Sequence, residues 1–484
     1  MASPVSEQTI QIGIFGCITA LIGLLTWWKC RGAAADARDD SREQFLAGGG
    51  LSWVFVAGSI TLTNLSTDQL VGMNGNQMIL LAWWELAAVA GLAILALVFL
   101  PIYYREGCTT TTELLERRYG DKNIRAAIGA LFLLGNVFLY LPIMLYTGSL
   151  FMQSMFGVEA PLMAIAAAFA VVGAAYAVLG GLRAVAVSDT YSGVGLLAMA
   201  LLVVFLALQA IGFDLSDIPA ERLTLIGDSD SPIPWHTLLT GMIFIQIFYW
   251  STNQTITQRA MASPTLAEAQ KGVAVAGLIR LIIVPAIVVI PGICAYKLYG
   301  DIGDAAYGRL VGDLLPGWLS GTFAAFIAAA VLTSYNSVLN SSATLYVCDL
   351  HETYVEGAPN ISRLNGIITV VFVAVSLALV PVYAGADSII NLVQQLNGLL
   401  SMPILSVFIV GLLFRGVAPG AAILQVVFGT GLYAVFTFLW TPLHYIHLML
   451  VTLVFTMVVG LLVNRLLFGR QAEYAGLEAL RRPI

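Results

Sequence analysis

Oxygen- and amide-bearing side chains are concentrated in three short stretches that lie within strongly apolar surroundings. The first, LTNLSTDQLVGMNGNQ, covers positions 62–77, and between Asn64 and Gln69 only Leu65 is apolar. The second is FIQIFYWSTNQTITQR at 244–259, and the third is AAAVLTSYNSVLNSSAT at 328–344. Polar groups inside apolar helices of membrane length are costly unless they line a cavity or pair with one another, so these stretches indicate a binding site.

Two kinds of chemistry fit these residue types. Hydroxyl groups and the carbonyls of unwound helix backbone supply hard oxygen ligands for a sodium ion without a full negative charge. Amides and carboxylates match the hydroxyls of a sugar-like solute, and aromatic faces can stack against it. The side chains inside apolar runs that offer this second chemistry are Gln69, Glu85, Gln246, Tyr249 and Gln394.

The elements that must hold these groups are membrane-spanning helices. Of the 484 residues, 59% are hydrophobic and only 10% are charged, whereas soluble domains carry about 25% charged residues. Apolar runs of about 18 residues or more, long enough to cross a bilayer, recur along the chain. We therefore predict an all-α polytopic membrane protein with about thirteen spans, near residues 9–28, 52–76, 79–104, 124–155, 160–180, 187–212, 235–257, 270–297, 317–348, 362–382, 387–413, 418–440 and 443–468.

The basic residues are distributed unequally between the loops on the two sides of the membrane. With the N-terminus outside, eighteen Lys and Arg residues fall on the inner side, and only Arg222, Lys297 and Arg309 fall outside. Basic loops are retained in the cytoplasm. We therefore expect an integral protein of the plasma membrane (the inner membrane in bacteria), with its N-terminus outside and its C-terminus in the cytoplasm.

Two of the polar stretches occupy corresponding positions in the chain. If span 9–28 is an accessory helix, the first stretch interrupts core helix one and the second interrupts core helix six. Interrupted spans at matching positions of two five-helix halves are typical of an inverted-repeat transporter with a site near the membrane midplane. The alternative is that these polar side chains only join neighbouring helices. The predicted divisions are an accessory helix and loop at 1–44, two repeats at 45–212 and 213–415, and two accessory helices with a tail at 416–484.

Other classes of function receive little support from the sequence. The five cysteines are scattered and form no CxxC pair, which favours small core residues over a disulfide or metal site. The four histidines fall at span ends or in loops, and no nucleophile–His–acid grouping is visible. We therefore expect neither an enzyme nor a nucleic-acid-binding protein.

Seven motifs occur in a specific order between about residues 45 and 415. They are NLSTDQLVGMNG, WWELA, GGLRAVAVSD, YWSTNQTITQR, IPGICAY, TSYNSVLNSSATLYVCDL and VQQLNGLLSMPILSVFIVGLLFRG. In these motifs the chain resembles the sodium/solute symporter family, and within it the sodium/galactose and sodium/glucose cotransporter branch. The resemblance implies a leucine-transporter-type 5+5 inverted repeat with broken core helices one and six, and alternating access driven by inward sodium movement.

The resemblance also implies where sodium binds. The family's main site uses backbone carbonyls of broken helix one, and a carbonyl and hydroxyls of helix eight, which correspond here to Leu62, Leu65, Ala330, Thr333 and Ser334. Some members hold a second sodium, for which Asp189 and Ser337 match. Asn336 replaces a hydroxyl of that second site, so its presence stays open, and Asp189 could instead be a structural partner of Arg183 or of helix eight.

The solute positions of the sodium/galactose branch carry over with some changes. Gln69, Glu85 and Gln394 are of the same residue type as in the family, and Gln246 replaces an Asn. Further implied contacts are Tyr249 as the inner aromatic gate with Asn64 as its partner, Met73 on the outer side, and Trp84 and Ala88 in place of a Tyr and a Ser.

Two charged residues admit more than one interpretation. Glu85 is expected to bind solute hydroxyls, but it could instead form a structural ion pair with Arg280. That arginine lies one residue out of register with a family lysine, so it could replace the lysine or extend to the membrane surface. No arginine stands at the helix-three position that binds a carboxylate in the family's sialic-acid branch, which disfavours an anionic solute.

The resulting expectation is a secondary active transporter that couples inward sodium movement to uptake of a small neutral solute, a monosaccharide in the first instance. Its cofactor is the sodium ion, and its partners are the solute and the lipid bilayer. The alternatives are a sodium symporter for a polyol, a nucleoside or an amino acid, or a transport-inactive sensor on the same fold.

Overall fold

The computed structural model describes residues 7–30, 46–65, 67–156, 160–355, 360–385 and 389–476, and these are almost entirely helical. Within them, nine helices are long and apolar enough to cross a membrane. Seven are named here as core helices two, three, five, seven, eight, nine and ten. They are Ile79–Glu106, Lys122–Met155, Leu182–Ala210, Leu266–Tyr299, Gly317–Tyr354, Arg363–Tyr383 and Ile389–Leu413. The other two are the C-terminal helices Pro419–Phe438 and Tyr445–Leu466.

Core helix one is broken, as its polar residues predict. Its first half, Trp53–Asn64, ends at Leu65, whose backbone leaves the helical region with φ −77° and ψ 70°. Its second half is Thr67–Gly75. Leu65, which follows the first half, is fully buried. Its backbone groups, which leave the helical pattern at the break, therefore face protein and not lipid.

Core helix six is broken as well. Gly241–Ile247 continues into the π-helical turn Phe248–Thr252, and helix resumes at Gln254–Met261. Between them Asn253 is extended, with φ −69° and ψ 123°, and its side chain accepts a hydrogen bond from the Thr255 amide. Asparagine is a favoured helix-capping residue, so it both ends one segment and begins the next.

The predicted spans 160–180 and 187–212 are not separated by a loop, which corrects the sequence-based boundary. The backbone is helical throughout Leu162–Ala210, a stretch of 49 residues. The predicted loop, residues 181–186 (GLRAVA), consists apart from its glycine of residues with fair to good helix propensity, and the pair Gly180–Gly181 does not end the helix. The apolar part before it, Leu162–Ala175, is core helix four. The count of thirteen spans is not confirmed, although the first predicted span is the helix Glu7–Cys30.

Several core helices contain local changes of winding. Core helices two, three and eight each include a π-helical turn, at Leu95–Phe99, Asn136–Tyr140 and Leu345–His351. Core helix two begins with the 3₁₀ turn Ile79–Ala82, and core helix seven is divided into Leu266–Ile282 and Val284–Tyr299. The shorter elements are Ala47–Gly49, Thr111–Tyr119, Ala220–Leu223, Trp235–Leu239, Gly303–Ala305, Ala306–Leu314 and the antiparallel strands Phe414–Arg415 and Glu473–Tyr474.

Core helix one lies at the centre of the helical assembly. Its first half packs against core helices five, six, seven and eight, and its second half packs against core helices three, seven and ten. The two C-terminal helices pack against each other and against core helix ten, outside this centre. The break in core helix one is therefore surrounded by the helices that carry the other polar stretches.

Candidate functional site: a pocket at two helix breaks

A pocket lies where core helices one, two, three, six and ten meet. Six of the eight predicted solute-binding residues line it, namely Asn64, Gln69, Trp84, Gln246, Tyr249 and Gln394. The other lining residues are Asp68, Tyr140, Ile245, Trp250, Ile390, Val393 and Asn397. Glu85 and Met73, the remaining two predicted residues, are buried and are not among the residues that line the pocket.

Hydrogen bonds join the two broken helices across the pocket. The Asn64 amide nitrogen donates to the Tyr249 hydroxyl at 2.9 Å, and the Gln69 amide nitrogen donates to the Asn64 oxygen at 3.0 Å. Tyr249 belongs to the π-helical turn of core helix six. Such turns insert an extra residue and change the direction of side chains, and they are frequent at functional sites. The structure thus brings together the predicted gate and its predicted partner.

Gln246 is held by two tryptophans. Its amide nitrogen donates to the Trp84 carbonyl at 2.9 Å, and its oxygen accepts from the Trp250 indole at 2.8 Å. Because both ends of this amide have protein partners, Gln246 fixes the positions of the two aromatic walls of the pocket.

Tyr140 and Asn397, which were not predicted from the sequence, form a second hydrogen-bonded group in the pocket together with Gln394. The Tyr140 hydroxyl donates to the Asn397 side-chain oxygen, and the Asn397 nitrogen donates to the Gln394 oxygen at 3.3 Å. Asn397 could have been found, because residues three apart on a helix lie on the same face, and Gln394 was already predicted to face the solute. Tyr140 carries no comparable signal, since only the fold brings core helix three beside core helix ten.

Glu85 forms a buried ion pair with Arg280, the arrangement that the sequence analysis considered as the alternative to solute contact. The guanidinium also donates to the Thr61 carbonyl at 3.3 Å and lies 4.4 Å from the centre of the Trp250 ring. The pair therefore ties core helices two and seven to the first half of core helix one and to a pocket wall. Solute contact by Glu85 stays a prediction.

One hydrogen bond between core helices one and eight joins two of the residues predicted to bind sodium. The Ser334 hydroxyl donates to the Leu62 carbonyl at 3.3 Å, and the Thr333 hydroxyl donates to the Ala330 carbonyl at 3.2 Å. Leu65 is the residue at which the first half of core helix one ends. All five predicted ligands are buried. Hydroxyls and carbonyls are thus assembled where helix backbone is interrupted, the donor set that suits sodium in such transporters.

The residues of the predicted second sodium site belong to a neighbouring polar cluster. The Asp189 carboxylate accepts a hydrogen bond from the Ser59 hydroxyl at 2.5 Å, and the Thr63 hydroxyl lies 3.3 Å from the Ser337 hydroxyl. The Ser337 hydroxyl donates to the Thr333 carbonyl at 2.6 Å. Ser337 is therefore bonded to a residue of the first predicted sodium position, and Asp189 is joined to the first half of core helix one through Ser59.

A buried arginine of core helix six approaches the same cluster. The Arg259 guanidinium donates to Ser59 at 2.9 Å, and Ser59 in turn donates to Asp189. Arg183, considered as a partner of Asp189, instead donates to the Ala47 carbonyl at 2.8 Å. The basic group nearest this cluster by hydrogen bonds is thus Arg259, which the sequence analysis had not assigned.

Comparison with known proteins identifies the family. Residues 44–429 match the model of the sodium:solute symporter family. The chain is 34% identical to an uncharacterized symporter of Escherichia coli, YidK, over 94% of this chain and 84% of that protein. It is 28% identical to the sodium/glucose cotransporter of Vibrio parahaemolyticus, over 93% and 89% of the two chains. The mouse sodium/myo-inositol cotransporter is 25% identical over 84% of this chain, which spans only 63% of that longer protein.

Two solved structures share the fold to different extents. A sodium-coupled sialic acid symporter in its substrate-bound, outward-open state superposes with a TM-score of 0.81 at 17% identity, covering 94% of this chain and 98% of that chain. The structure of MhsT in complex with L-phenylalanine gives a TM-score of 0.51 at 15% identity, covering 84% of this chain and 97% of that chain.

These findings agree with a membrane transporter and not with an enzyme. In the part of the chain that the structure describes, no group of three His, Cys, Asp or Glu side chains is placed to hold a metal ion. The chain belongs to the sodium:solute symporter family, and sodium is its coupling ion.

Proposed function

We propose that this chain uses the sodium gradient to take up a small neutral solute, and that the solute is a monosaccharide. The observation that carries the proposal is the amide-rich pocket at the two helix breaks. Amides, phenol hydroxyls and tryptophan faces match the hydroxyls and the apolar faces of a sugar. Among the described residues that line the pocket there is no lysine or arginine, which argues against an anionic solute.

The relatives support the same class of solute. Proteins named for glucose and for myo-inositol cotransport match most of this chain. A cyclic polyol is therefore the second candidate, because it offers the same hydroxyls without a ring oxygen.

Coupling follows from where sodium would bind. The carbonyls of Leu62, Leu65 and Ala330 and the hydroxyls of Thr333 and Ser334 would surround one ion. Sodium there would join the end of the first half of core helix one to core helix eight. Since Asn64 and Gln69 stand on either side of that same break, an ion that orders the break also orders the solute pocket.

Release of the solute requires movement of the gate. Tyr249 lines the pocket and is held by Asn64, so this hydrogen bond must break before the ring can move aside. We propose that sodium binds first from outside, that solute closes the outer side, and that both then leave toward the cytoplasm. The proposal includes the orientation and the two repeats, 45–212 and 213–415, predicted from the sequence.

Uptake into proteoliposomes tests the proposal. Purified protein would be assayed with labelled hexoses, pentoses and inositols, and with labelled amino acids and nucleosides for comparison. Each would be tested with and without an inward sodium gradient, and potassium in place of sodium would be the control. We expect uptake of at least one monosaccharide only with sodium. Uptake confined to amino acids or nucleosides, or uptake that ignores sodium, would contradict it.

A further inference from the structure

Three glutamines line the pocket, and their amides have different hydrogen-bonding states. An amide has a nitrogen that only donates and an oxygen that only accepts, so the protein partners of one end decide what the other end offers. Gln246 has protein partners at both ends, Trp84 and Trp250. Of the three glutamine amides, it therefore has the least to offer a solute.

Gln69 offers an acceptor. Its nitrogen donates to Asn64, whereas its oxygen is buried and has no hydrogen-bond partner among the described residues. The side chain is only 9% exposed and lines the pocket. A buried acceptor without a partner costs free energy, and a donor group of a solute would remove that cost.

Gln394 offers a donor, because a relay of hydrogen bonds occupies its oxygen. The relay begins at the Tyr140 hydroxyl, which donates to the Asn397 oxygen. Asn397 must then donate through its nitrogen, which it does to the Gln394 oxygen at 3.3 Å. The Gln394 nitrogen is the end left for the solute.

The backbone at Tyr140 and the burial of Asn397 support this chain of hydrogen bonds. Tyr140 ends the π-helical turn Asn136–Tyr140, one of the turns whose extra residue redirects a side chain. Asn397 is 9% exposed, and both residues line the pocket with Gln394. Three helical positions on two core helices thus converge on one amide.

We propose that Asn397, held by Tyr140, is a positioning residue that presents the Gln394 nitrogen to the solute. The pocket then selects a neutral solute with a hydrogen-bond donor facing Gln69 and an acceptor facing Gln394. This inference rests on the proposed uptake of a monosaccharide or cyclic polyol, and it assigns a polarity to two of the solute's contacts.

Competition by fluorinated and deoxygenated analogues can determine which contact of the solute requires a donor and which requires an acceptor. A hydroxyl donates and accepts, a fluorine in its place accepts weakly but cannot donate, and a hydrogen does neither. Tritiated D-glucose and myo-inositol would be the transported probes, each competed by its monodeoxy and monofluoro derivatives in proteoliposomes. At the hydroxyl that faces Gln394, we expect the fluoro analogue to compete within about threefold of the parent and the deoxy analogue about tenfold worse. At the hydroxyl that faces Gln69, both analogues should lose about tenfold.

A matched pair of variants tests the relay itself. The threonine of Asn397→Thr has a hydroxyl that can accept from Tyr140 and donate to Gln394, whereas Asn397→Val has the same shape without it. The threonine variant should keep the difference between fluoro and deoxy analogues. The valine variant should lose this difference between analogues, because Gln394 can then turn either end of its amide toward the solute. Tyr140→Phe should make the difference smaller.

The outcomes separate this inference from the proposed function. If the wild type takes up neither probe with sodium, the proposed function is wrong and this inference falls with it. If it takes up a probe but treats fluoro and deoxy analogues alike at every position, only the polarity is wrong. If the threonine and valine variants behave identically, Asn397 does not position Gln394; a purely structural role would change the amount of active protein and leave the analogue ratio unchanged.

Discussion

At the scale of single residues, the ion pair of Glu85 and Arg280 has a direct consequence for stability. Both side chains are almost completely buried. Removal of one partner leaves an uncompensated charge in the protein interior and costs about 3–5 kcal/mol, whereas removal of both costs much less. Glu85→Gln and Arg280→Gln should each lower the melting temperature in detergent strongly, and the double variant should recover most of the loss.

A surface pair provides the control for this prediction. Arg222 and Asp301 form an ion pair at 2.9 Å, but the aspartate side chain is 62% exposed. Asp301→Asn should therefore change stability by less than about 1 kcal/mol.

Additive effects of the Glu85→Gln and Arg280→Gln substitutions would show that Glu85 and Arg280 do not interact. A stable double variant that binds sodium but not solute would support the predicted solute contact of Glu85.

Thr333 allows a direct test of the predicted sodium position. In Thr333→Ala one hard oxygen ligand is lost, so the sodium concentration for half-maximal uptake should rise about tenfold or more, while Thr333→Ser should stay close to the wild type. The measurement is initial solute uptake into proteoliposomes over a range of sodium concentrations. An unchanged sodium dependence in the alanine variant would place sodium elsewhere.

Much of the pocket was predictable at this scale, and the reason is physical. A polar side chain inside an apolar span needs a partner or a cavity, so Gln69 and Gln246 could be identified from their positions in apolar spans. The role of Asn64 as partner of the gate was implied by the family resemblance. Which partner each one takes depends on helices distant in sequence. The pairing of Glu85 with Arg280, 195 residues away, was therefore left as one of two alternatives.

At the scale of helices, the two breaks were predictable and the changes of winding were not. A break needs polar residues that satisfy backbone groups, which is a signal in the sequence. A π-helical turn arises where packing accommodates one extra residue, and the apolar run LALVF in core helix two looks like any other. The helix that continues through residues 181–186 was also missed, because the pair Gly180–Gly181 lowers helix propensity but does not end this helix.

Close packing of core helices two and six depends on a glycine. A Cβ on Gly91 would lie 2.3 Å from the Gln246 carbonyl oxygen, a contact with backbone that cannot be relieved by a side-chain rotation. Gly91→Ala should push the helices apart, costing about 1–3 kcal/mol, and should move the Trp84 and Trp250 walls that Gln246 holds. Thermal unfolding and the KM for solute are the measurements.

A second glycine of the same region is the matched control. A Cβ on Gly277 of core helix seven would meet only Leu92, at 3.8 Å, which is ordinary contact. Gly277→Ala should be neutral or stabilise the helix by up to about 1 kcal/mol. Equal effects of the two substitutions would mean that the contact at Gly91 does not limit how closely these helices approach.

At the scale of the whole molecule, transport depends on how many charges move with each solute. The membrane potential contributes about 2.3 kcal/mol per sodium for each 100 mV, which corresponds to roughly fortyfold accumulation of a neutral solute. The cluster around Asp189 and Ser337 decides between one sodium and two. Because the buried Arg259 guanidinium already reaches this cluster through Ser59, a second cation there would meet a positive charge. We therefore expect one sodium per solute.

The slope of accumulation against membrane potential tests this number. With equal sodium on both sides and a potassium diffusion potential imposed on proteoliposomes, one sodium gives about tenfold accumulation for each 60 mV, and two give about tenfold for each 30 mV. Ser337→Ala should leave the slope unchanged, because the Ser337 hydroxyl then contacts protein groups, the Thr333 carbonyl and the Thr63 hydroxyl, and no ion. The wild type could instead show the slope expected for two sodium ions and the Ser337→Ala variant the slope expected for one. That result would show that the Asp189 cluster binds the second ion in spite of Arg259.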